Sequence, residues 1–145
     1  MADLGPATRV FPLVGLVVGT CGGGALWLAW QLSLQPMACA IIGLALTAWI
    51  SGGLHEDGLA DFADGIGAGD QARRLAIMRD SRIGTFGVLV LIFSIGLKVM
   101  LLAGFAAPGL AAATLIGAAA ASRGMMPLLM FALRPARVDG LGRDA

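Results

Sequence analysis

Three aspartates in the middle of the chain are spaced to lie on one face of a helix. Asp57, Asp61 and Asp64 follow one another at intervals of four and three residues. At about 100° per residue, their side chains share a stripe about 60° wide. Three carboxylates that close repel one another unless a cation neutralises them. Because oxygen ligands suit hard divalent ions, the spacing predicts a site for Mg²⁺ or Mn²⁺.

Two other ionisable residues directly precede this stripe. His55 is the only histidine in the chain. A general base, a metal ligand and a phosphate contact are its candidate functional roles, and a hydrogen-bonded structural histidine is the alternative. Glu56 lies about 100° around the helix from Asp57, so we expect it to be peripheral to the site.

A basic segment follows the acidic one and contains Arg73, Arg74, Arg79 and Arg82. Guanidinium groups are planar donors that suit phosphate oxygens, and this favours Arg79 and Arg82 as phosphate ligands. Arg73 and Arg74 are equally well explained as membrane anchors. Asp80 is either a further metal ligand or an ion-pair partner of Arg79 or Arg82. Metal-binding carboxylates beside phosphate-binding arginines are typical of phosphoryl transfer.

Membrane helices must position these residues, because the composition is too apolar for a soluble domain. Of 145 residues, 58% are hydrophobic and 13% are charged, whereas soluble domains carry about 25% charged residues. The net charge of +1 comes without a basic patch for nucleic acid. Apolar segments cover residues 10–32, 36–50, 83–105 and 109–133. We therefore expect an all-α, polytopic integral membrane helical bundle in the lipid bilayer, one domain over 1–145 with about four transmembrane helices.

Charges and glycines add detail to this bundle. Lys98 is expected to reach the outer surface, whereas Arg123 lies well inside the fourth segment, where a charge is usually functional or paired. Arg9, the basic segment, Arg134 and Arg137 share one side, which the positive-inside rule makes cytoplasmic, together with the acidic cluster. Small residues allow close helix approach, and the first segment holds four that fit this role, Gly15, Gly19, Gly22 and Gly23.

The motifs taken together resemble those of a known family. Residues 53–65, which read GLHEDGLADFADG, resemble the signature of the cobalamin synthase family, adenosylcobinamide-GDP ribazoletransferase. Residues 78–87, MRDSRIGTFG, resemble its second block, and segments 11–15, 122–123 and 135–142 are similar to further parts of it. The resemblance spans nearly the whole chain. Family members are longer, so the chain resembles an incomplete member.

The resemblance implies a Mg²⁺-dependent transferase of cobalamin biosynthesis in the cell inner membrane, with its site on the cytoplasmic side. It would transfer the cobinamide-phosphate group of adenosylcobinamide-GDP to α-ribazole, or to its 5′-phosphate. GMP would be released, and adenosylcobalamin or its 5′-phosphate would form. Carried over by residue, the metal ligands and catalytic residues are Asp57, Asp61 and Asp64, with Asp80 as a weaker candidate ligand. His55 is a further catalytic candidate from its own chemistry. The implied substrate contacts are Arg79, Arg82 and Arg123, with Asp80 as a weaker candidate.

Two other functions compete with this one. The CDP-alcohol phosphotransferases also carry an Asp-Gly-x-x-Ala stripe in a membrane, seen here at residues 57–60, but they place Arg where this chain has Asp61. A divalent-cation transporter would use carboxylates to line a path through the bilayer. The nearby arginines would repel a cation, which disfavours the transporter. An oligomer is compatible with each of these functions.

Overall fold

The computed structural model describes residues 10–80 and 82–133, and this part of the chain is entirely helical apart from its turns. This confirms the predicted all-α class. The predicted charges Arg9, Arg134 and Arg137 and the segment 135–142 lie outside the described residues. In chain order the helices are α1 (Phe11–Gln31), α2 (Pro36–Ile50), α3 (Leu54–Ile66), α4 (Gln71–Ile77), α5 (Thr85–Ala103) and α6 (Pro108–Ala132).

Three of these helices, α1, α5 and α6, are long and apolar enough to cross a membrane. The remaining predicted segment, α2, has 15 residues, which is short for a span of roughly 17–25 residues. It qualifies only together with α3, from which it is separated by a bend of 89°. The structure therefore confirms a polytopic bundle with three spans, or four if the bent pair counts as one.

Glycines bring α1 and α6 into close contact, as their spacing predicts. A Cβ atom at Gly19 would lie 2.8 Å from Ile116 Cα, and one at Gly23 would lie 2.9 Å from the Ala112 carbonyl oxygen. Gly22 makes the equivalent approach to Gly43 of α2. Without side chains at these positions the backbones meet directly, and dispersion contacts replace the hydrophobic effect that lipid cannot supply.

The buried core lies at the end of the bundle where α1 and α5 finish and α2 and α6 begin. Leu26 and Cys39 are its most deeply buried side chains. Other buried members come from all four helices: Ala29, Ala40, Val99, Leu102, Ala111 and Leu115. The opposite end of the bundle carries the polar helices α3 and α4, so the core anchors the scaffold away from the candidate site.

A tight turn at Ser51–Gly53, here called the elbow, redirects the chain from α2 into α3. Gly52 and Gly53 have φ angles of 63° and 69°, which L side chains disfavour. The Gly53 N–H donates to Ala48 O at 2.8 Å, and the Gly52 N–H donates to Trp49 O at 3.0 Å. This is the Schellman pattern that ends a helix. Because α3 starts at once, the turn produces the sharp bend.

Candidate functional site

All three predicted aspartates lie on α3, as their spacing requires, but they have different surroundings. Asp57 is exposed, whereas Asp61 and Asp64 are half-buried. Ala60, on the flank of the same stripe, is buried against Gly87 of α5. The stripe is therefore not uniformly open to a ligand. One edge of it packs on α5, and the other edge carries Asp57 and Asp61.

Asp64 binds the beginning of α5 with both carboxylate oxygens. Oδ2 accepts from the Gly84 N–H at 2.7 Å, and Oδ1 accepts from the Gly87 N–H at 2.8 Å. The first N–H groups of a helix lack partners within the helix, and an anion there also interacts favourably with the helix dipole. Asp64 is thus a capping residue supplied by a neighbouring helix, a role that its position in the sequence did not reveal.

Glycine at both capped positions is required by this contact. A Cβ atom at either Gly84 or Gly87 would collide with the Asp64 carboxylate. The glycines in Ile83-Gly84-Thr85-Phe86-Gly87 therefore let α3 and α5 meet through a side chain of one and the backbone of the other. This contact was detectable in the sequence only as an aspartate in one motif and glycines in the next.

His55 lies at the start of α3, where three charged side chains act on it electrostatically. They are Arg123 of α6, Lys98 of α5 and the adjoining Glu56. Sequence analysis expected Lys98 to reach the outer surface, and the structure places it within electrostatic reach of this histidine. The α6 helix thus reaches the elbow, where Arg123 bonds to Ser51, and the chain order alone did not show this.

Glu56, which we expect to be peripheral to the site, does not simply face solvent. Its side chain is half-buried, and its Oε2 atom is buried without a hydrogen-bond partner among the described residues. A buried carboxylate oxygen without a partner is costly. The helical angle correctly separated Glu56 from Asp57, but it could not show that the direction away from Asp57 faces protein rather than solvent.

Asp80 pairs with Arg82, one of its two predicted ion partners. Arg82 Nη2 lies 2.6 Å from Asp80 Oδ2, and Arg82 Nε lies 3.1 Å from Asp80 Oδ1. The side-chain hydrogen bonds from Arg82 hold the pKa of Asp80 below its ordinary value. The Arg82 side chain is 87% exposed, so the pair is open to a ligand.

The α4 helix packs against α3 across an apolar groove. Asp70 caps α4 by accepting the Arg73 N–H at 2.8 Å, and Arg74 Nε donates to Ala68 O at 3.3 Å. Phe62, Ile66, Leu75 and Met78 line the groove between the two helices. These contacts keep the basic segment beside the acidic helix, as the proximity of the two motifs in sequence predicts.

Arg123 is buried within α6, where only 9% of its surface is exposed. Its Nη2 donates to Ser51 Oγ at 2.8 Å, and its Nη1 donates to Ala119 O at 3.3 Å. The sequence predicted a buried charge that is functional or paired, and the structure shows that it is hydrogen-bonded to the elbow.

The pair of carboxylates at Asp57 and Asp61 on α3 fits a hard divalent cation. Among the described residues, no three His, Cys, Asp or Glu side chains are arranged to hold a metal ion by themselves. Magnesium, however, is commonly held by one or two carboxylates together with water and substrate phosphates. Asp57 and Asp61, one helical turn apart, supply that number of ligands. Asp64 also has a second lone pair on each oxygen, and its metal contact stays a prediction.

These features define a class of protein, a polytopic helical membrane protein with a candidate phosphoryl-transfer site. The family model for Cobalamin-5-phosphate synthase matches residues 1–145, so the chain belongs to the cobalamin-5-phosphate synthase family. The resemblance seen in the motifs is thereby confirmed.

Similar proteins carry one activity in their names. The chain is 48% identical to an adenosylcobinamide-GDP ribazoletransferase of Bradyrhizobium diazoefficiens, over 96% of this chain and 54% of the relative. Proteins of the same name from Brucella anthropi and Azorhizobium caulinodans are 48% and 46% identical, over 92% and 99% of this chain and 53% and 55% of the relatives. The chain therefore spans about half the length of these curated relatives. No solved structure matches it.

Proposed function

We propose that this chain carries the acidic and basic parts of the site of an adenosylcobinamide-GDP ribazoletransferase. The reaction transfers the cobinamide-phosphate group of adenosylcobinamide-GDP to α-ribazole or its 5′-phosphate. GMP leaves, and adenosylcobalamin or its 5′-phosphate forms. The single observation that carries this proposal is the acidic helix α3, placed beside an arginine segment in a chain of this family.

The proposed reaction is an in-line displacement at phosphorus. A ribose hydroxyl oxygen of the acceptor attacks the phosphorus nearer cobinamide, and the bond from that phosphorus to the GMP oxygen breaks. The 5′-phosphorylated acceptor has its 5′ oxygen already esterified, so a hydroxyl other than the 5′ one serves both acceptors. The hydroxyl proton must be taken up, whereas GMP leaves as a phosphate anion.

Residues of this chain would hold and orient the reactants. Asp57 and Asp61 would hold Mg²⁺, which would neutralise charge on the phosphate oxygens. Arg79 and Arg82 would bind those oxygens, and Arg82 uses only Nε and Nη2 in its pair with Asp80. His55, exposed at the start of α3, is the proposed acceptor of the hydroxyl proton.

We further propose an inner-membrane location with the site on the cytoplasmic side. The basic segment supports this orientation, because short basic loops stay in the cytoplasm. Neither competing function is proposed. The arginines that follow α3 in the basic segment would repel a cation, which does not suit a transport path. The similar proteins are named for ribazole transfer and not for CDP-alcohol phosphotransfer.

Release of GMP from adenosylcobinamide-GDP, measured on membranes with and without Mg²⁺, tests the proposal. We expect release to require both the ion and α-ribazole or its phosphate. Asp57→Ala and Asp61→Ala should lower turnover by at least about 100-fold, since each would remove a ligand that positions the transferring group. Asp70→Asn is the matched control, because it removes one negative charge but keeps the α4 cap. Parent-level release in both alanine variants would contradict the proposal.

A further inference from the structure

The buried guanidinium group of Arg123 donates hydrogen bonds to protein atoms. Of its guanidinium nitrogens, Nη1 donates to the carbonyl of its own helix at Ala119, and Nη2 crosses to Ser51 Oγ at the elbow. A buried cation is costly unless it is hydrogen-bonded or paired. The cross-helix bond joins residues 72 positions apart in the sequence, and it connects a membrane span to the start of the acidic helix.

The first helix leaves room for this side chain. A Cβ atom at Gly15 of α1 would lie 2.9 Å from Arg123 Cδ and 2.8 Å from Ala120 Cα. The missing side chain therefore allows α1 and α6 to close around the arginine stem. This packing limits the directions in which the guanidinium can point.

Ser51 is suited to receive the arginine. Its hydroxyl donates to Thr47 O at 2.7 Å, so its proton is already committed and a lone pair faces the guanidinium. Ser51 also caps the C-terminal end of α2, directly before the two glycines with positive φ. Those glycines impose little restraint of their own, because glycine tolerates many backbone conformations. The Arg123 bond thus adds a tertiary restraint to a turn that is otherwise held by the local backbone hydrogen bonds of Gly52 and Gly53.

We propose that Arg123 is a positioning residue that holds the elbow through Ser51 and so sets the direction of α3. The far end of α3 is fixed by the bonds from Gly84 and Gly87 to Asp64. With both ends held, Asp57 and Asp61 keep a defined place relative to the spans. The catalytic consequence rests on the proposed function. The role differs from the phosphate contact that the family resemblance implies for Arg123.

Distances between spin labels test the positioning role without any assay of activity. Labels at Gly58→Cys on α3 and Leu128→Cys on α6 report the distance between the two helices, which changes with the direction of α3. Both sites are exposed. The exposed Cys21 is replaced by Ser, and Cys39, which is 1% exposed, stays unlabelled. We expect one narrow distance distribution in the parent protein. It should broaden or shift when the bond between Arg123 and Ser51 is removed.

Ser51→Ala removes that bond while leaving the arginine in place, and Arg123→Gln removes the charge but keeps a donor. Ser122→Ala is the matched control, because Ser122 adjoins Arg123 and also bonds to Ala119 O. The two test variants should change the distance distribution, and the control should not. Parent-like distributions in both test variants would overturn the proposal. If Arg123→Gln fails to fold, Ser51→Ala still decides the question.

Kinetics then separate positioning from phosphate binding. We expect Ser51→Ala and Arg123→Gln each to lower kcat by about tenfold or more with little change in KM, since small misplacements of reacting groups slow the chemical step. The double variant should be little slower than the slower single variant. The opposite result would be a raised KM and an unchanged kcat in Arg123→Gln, together with parent-like kinetics in Ser51→Ala. That result would show that Arg123 binds a substrate phosphate instead. If the parent protein releases no GMP, the proposed function fails, and the label distances still test the positioning role.

Discussion

Residues of α3 that share one helix face in the sequence pattern have different roles in the structure. Asp57 faces outward, whereas Asp64 is turned onto backbone N–H groups of α5. Glu56, outside the stripe, has a buried carboxylate oxygen. Spacing identifies residues that share a face, but neighbouring helices decide what each of them meets. Stability measurements can distinguish these tasks.

We expect Asp64→Asn to destabilise the protein. The asparagine oxygen can still accept one N–H, but its NH₂ group cannot accept the other, so Gly84 or Gly87 loses its partner. The loss should amount to about 1–3 kcal/mol, because a hydrogen bond to a charged group is lost and an N–H is left without one. Thermal unfolding in detergent measures this effect. Asp70→Asn, which keeps its helix cap, should stay close to the parent, and equal stabilities of both variants would contradict the assignment.

Replacement of Glu56 by leucine should stabilise the protein, in contrast to Asp64→Asn. Its Oε2 atom is buried and has no hydrogen-bond partner among the described residues. Removing such a group relieves a penalty of about 1–3 kcal/mol. Glu56→Leu should therefore raise the unfolding temperature in the same detergent assay. A clear fall would show that the carboxylate has a stabilising partner, and the corresponding change at exposed Asp57 provides the comparison.

At the scale of elements, the contact between α1 and α6 depends on particular glycines rather than on glycine content. Gly19 lies directly on the α6 backbone, whereas a Cβ atom at Gly24 of the same helix would meet nothing within 4 Å. The two positions are indistinguishable in composition. They therefore form a matched pair of sites for substitution.

Gly19→Ala should destabilise the bundle by about 1–3 kcal/mol, because the added methyl group overfills a close contact. Gly24→Ala should be neutral or should stabilise by up to about 1 kcal/mol, since alanine restricts the unfolded chain and suits a helix. Unfolding of each variant in detergent measures the difference. Equal effects at the two positions would show that α1 and α6 do not meet as the structure describes.

At the scale of the whole molecule, the bundle separates an apolar core from a polar end. Leu26 and Cys39 lie in the core, and the arginines of the basic segment lie at the other end with α3. This polarity is the physical basis of the proposed orientation, because short basic loops are retained in the cytoplasm.

Labelling with a membrane-impermeant maleimide should reveal this orientation. In a Cys21→Ser background, Ala72→Cys on α4 should react in inverted vesicles but not in intact spheroplasts. Ala106→Cys, in the loop between α5 and α6, should show the reverse. Both sites are exposed. Reaction of Ala72→Cys from outside the cell would contradict a cytoplasmic site.

The sequence by itself determined the class of this protein, its helices and the family to which it belongs. Apolar runs mark the helices because lipid accepts only backbone that is hydrogen-bonded internally, and the periodicity of Asp57, Asp61 and Asp64 shows that they share a helix. Only the tertiary structure decided that Asp64 caps α5, that Glu56 is partly buried and that Arg123 reaches Ser51. These contacts join residues far apart in sequence or depend on which face meets a neighbour. Local spacing predicts neither the contacts between distant residues nor the face that meets a neighbour, because the packing between helices determines them.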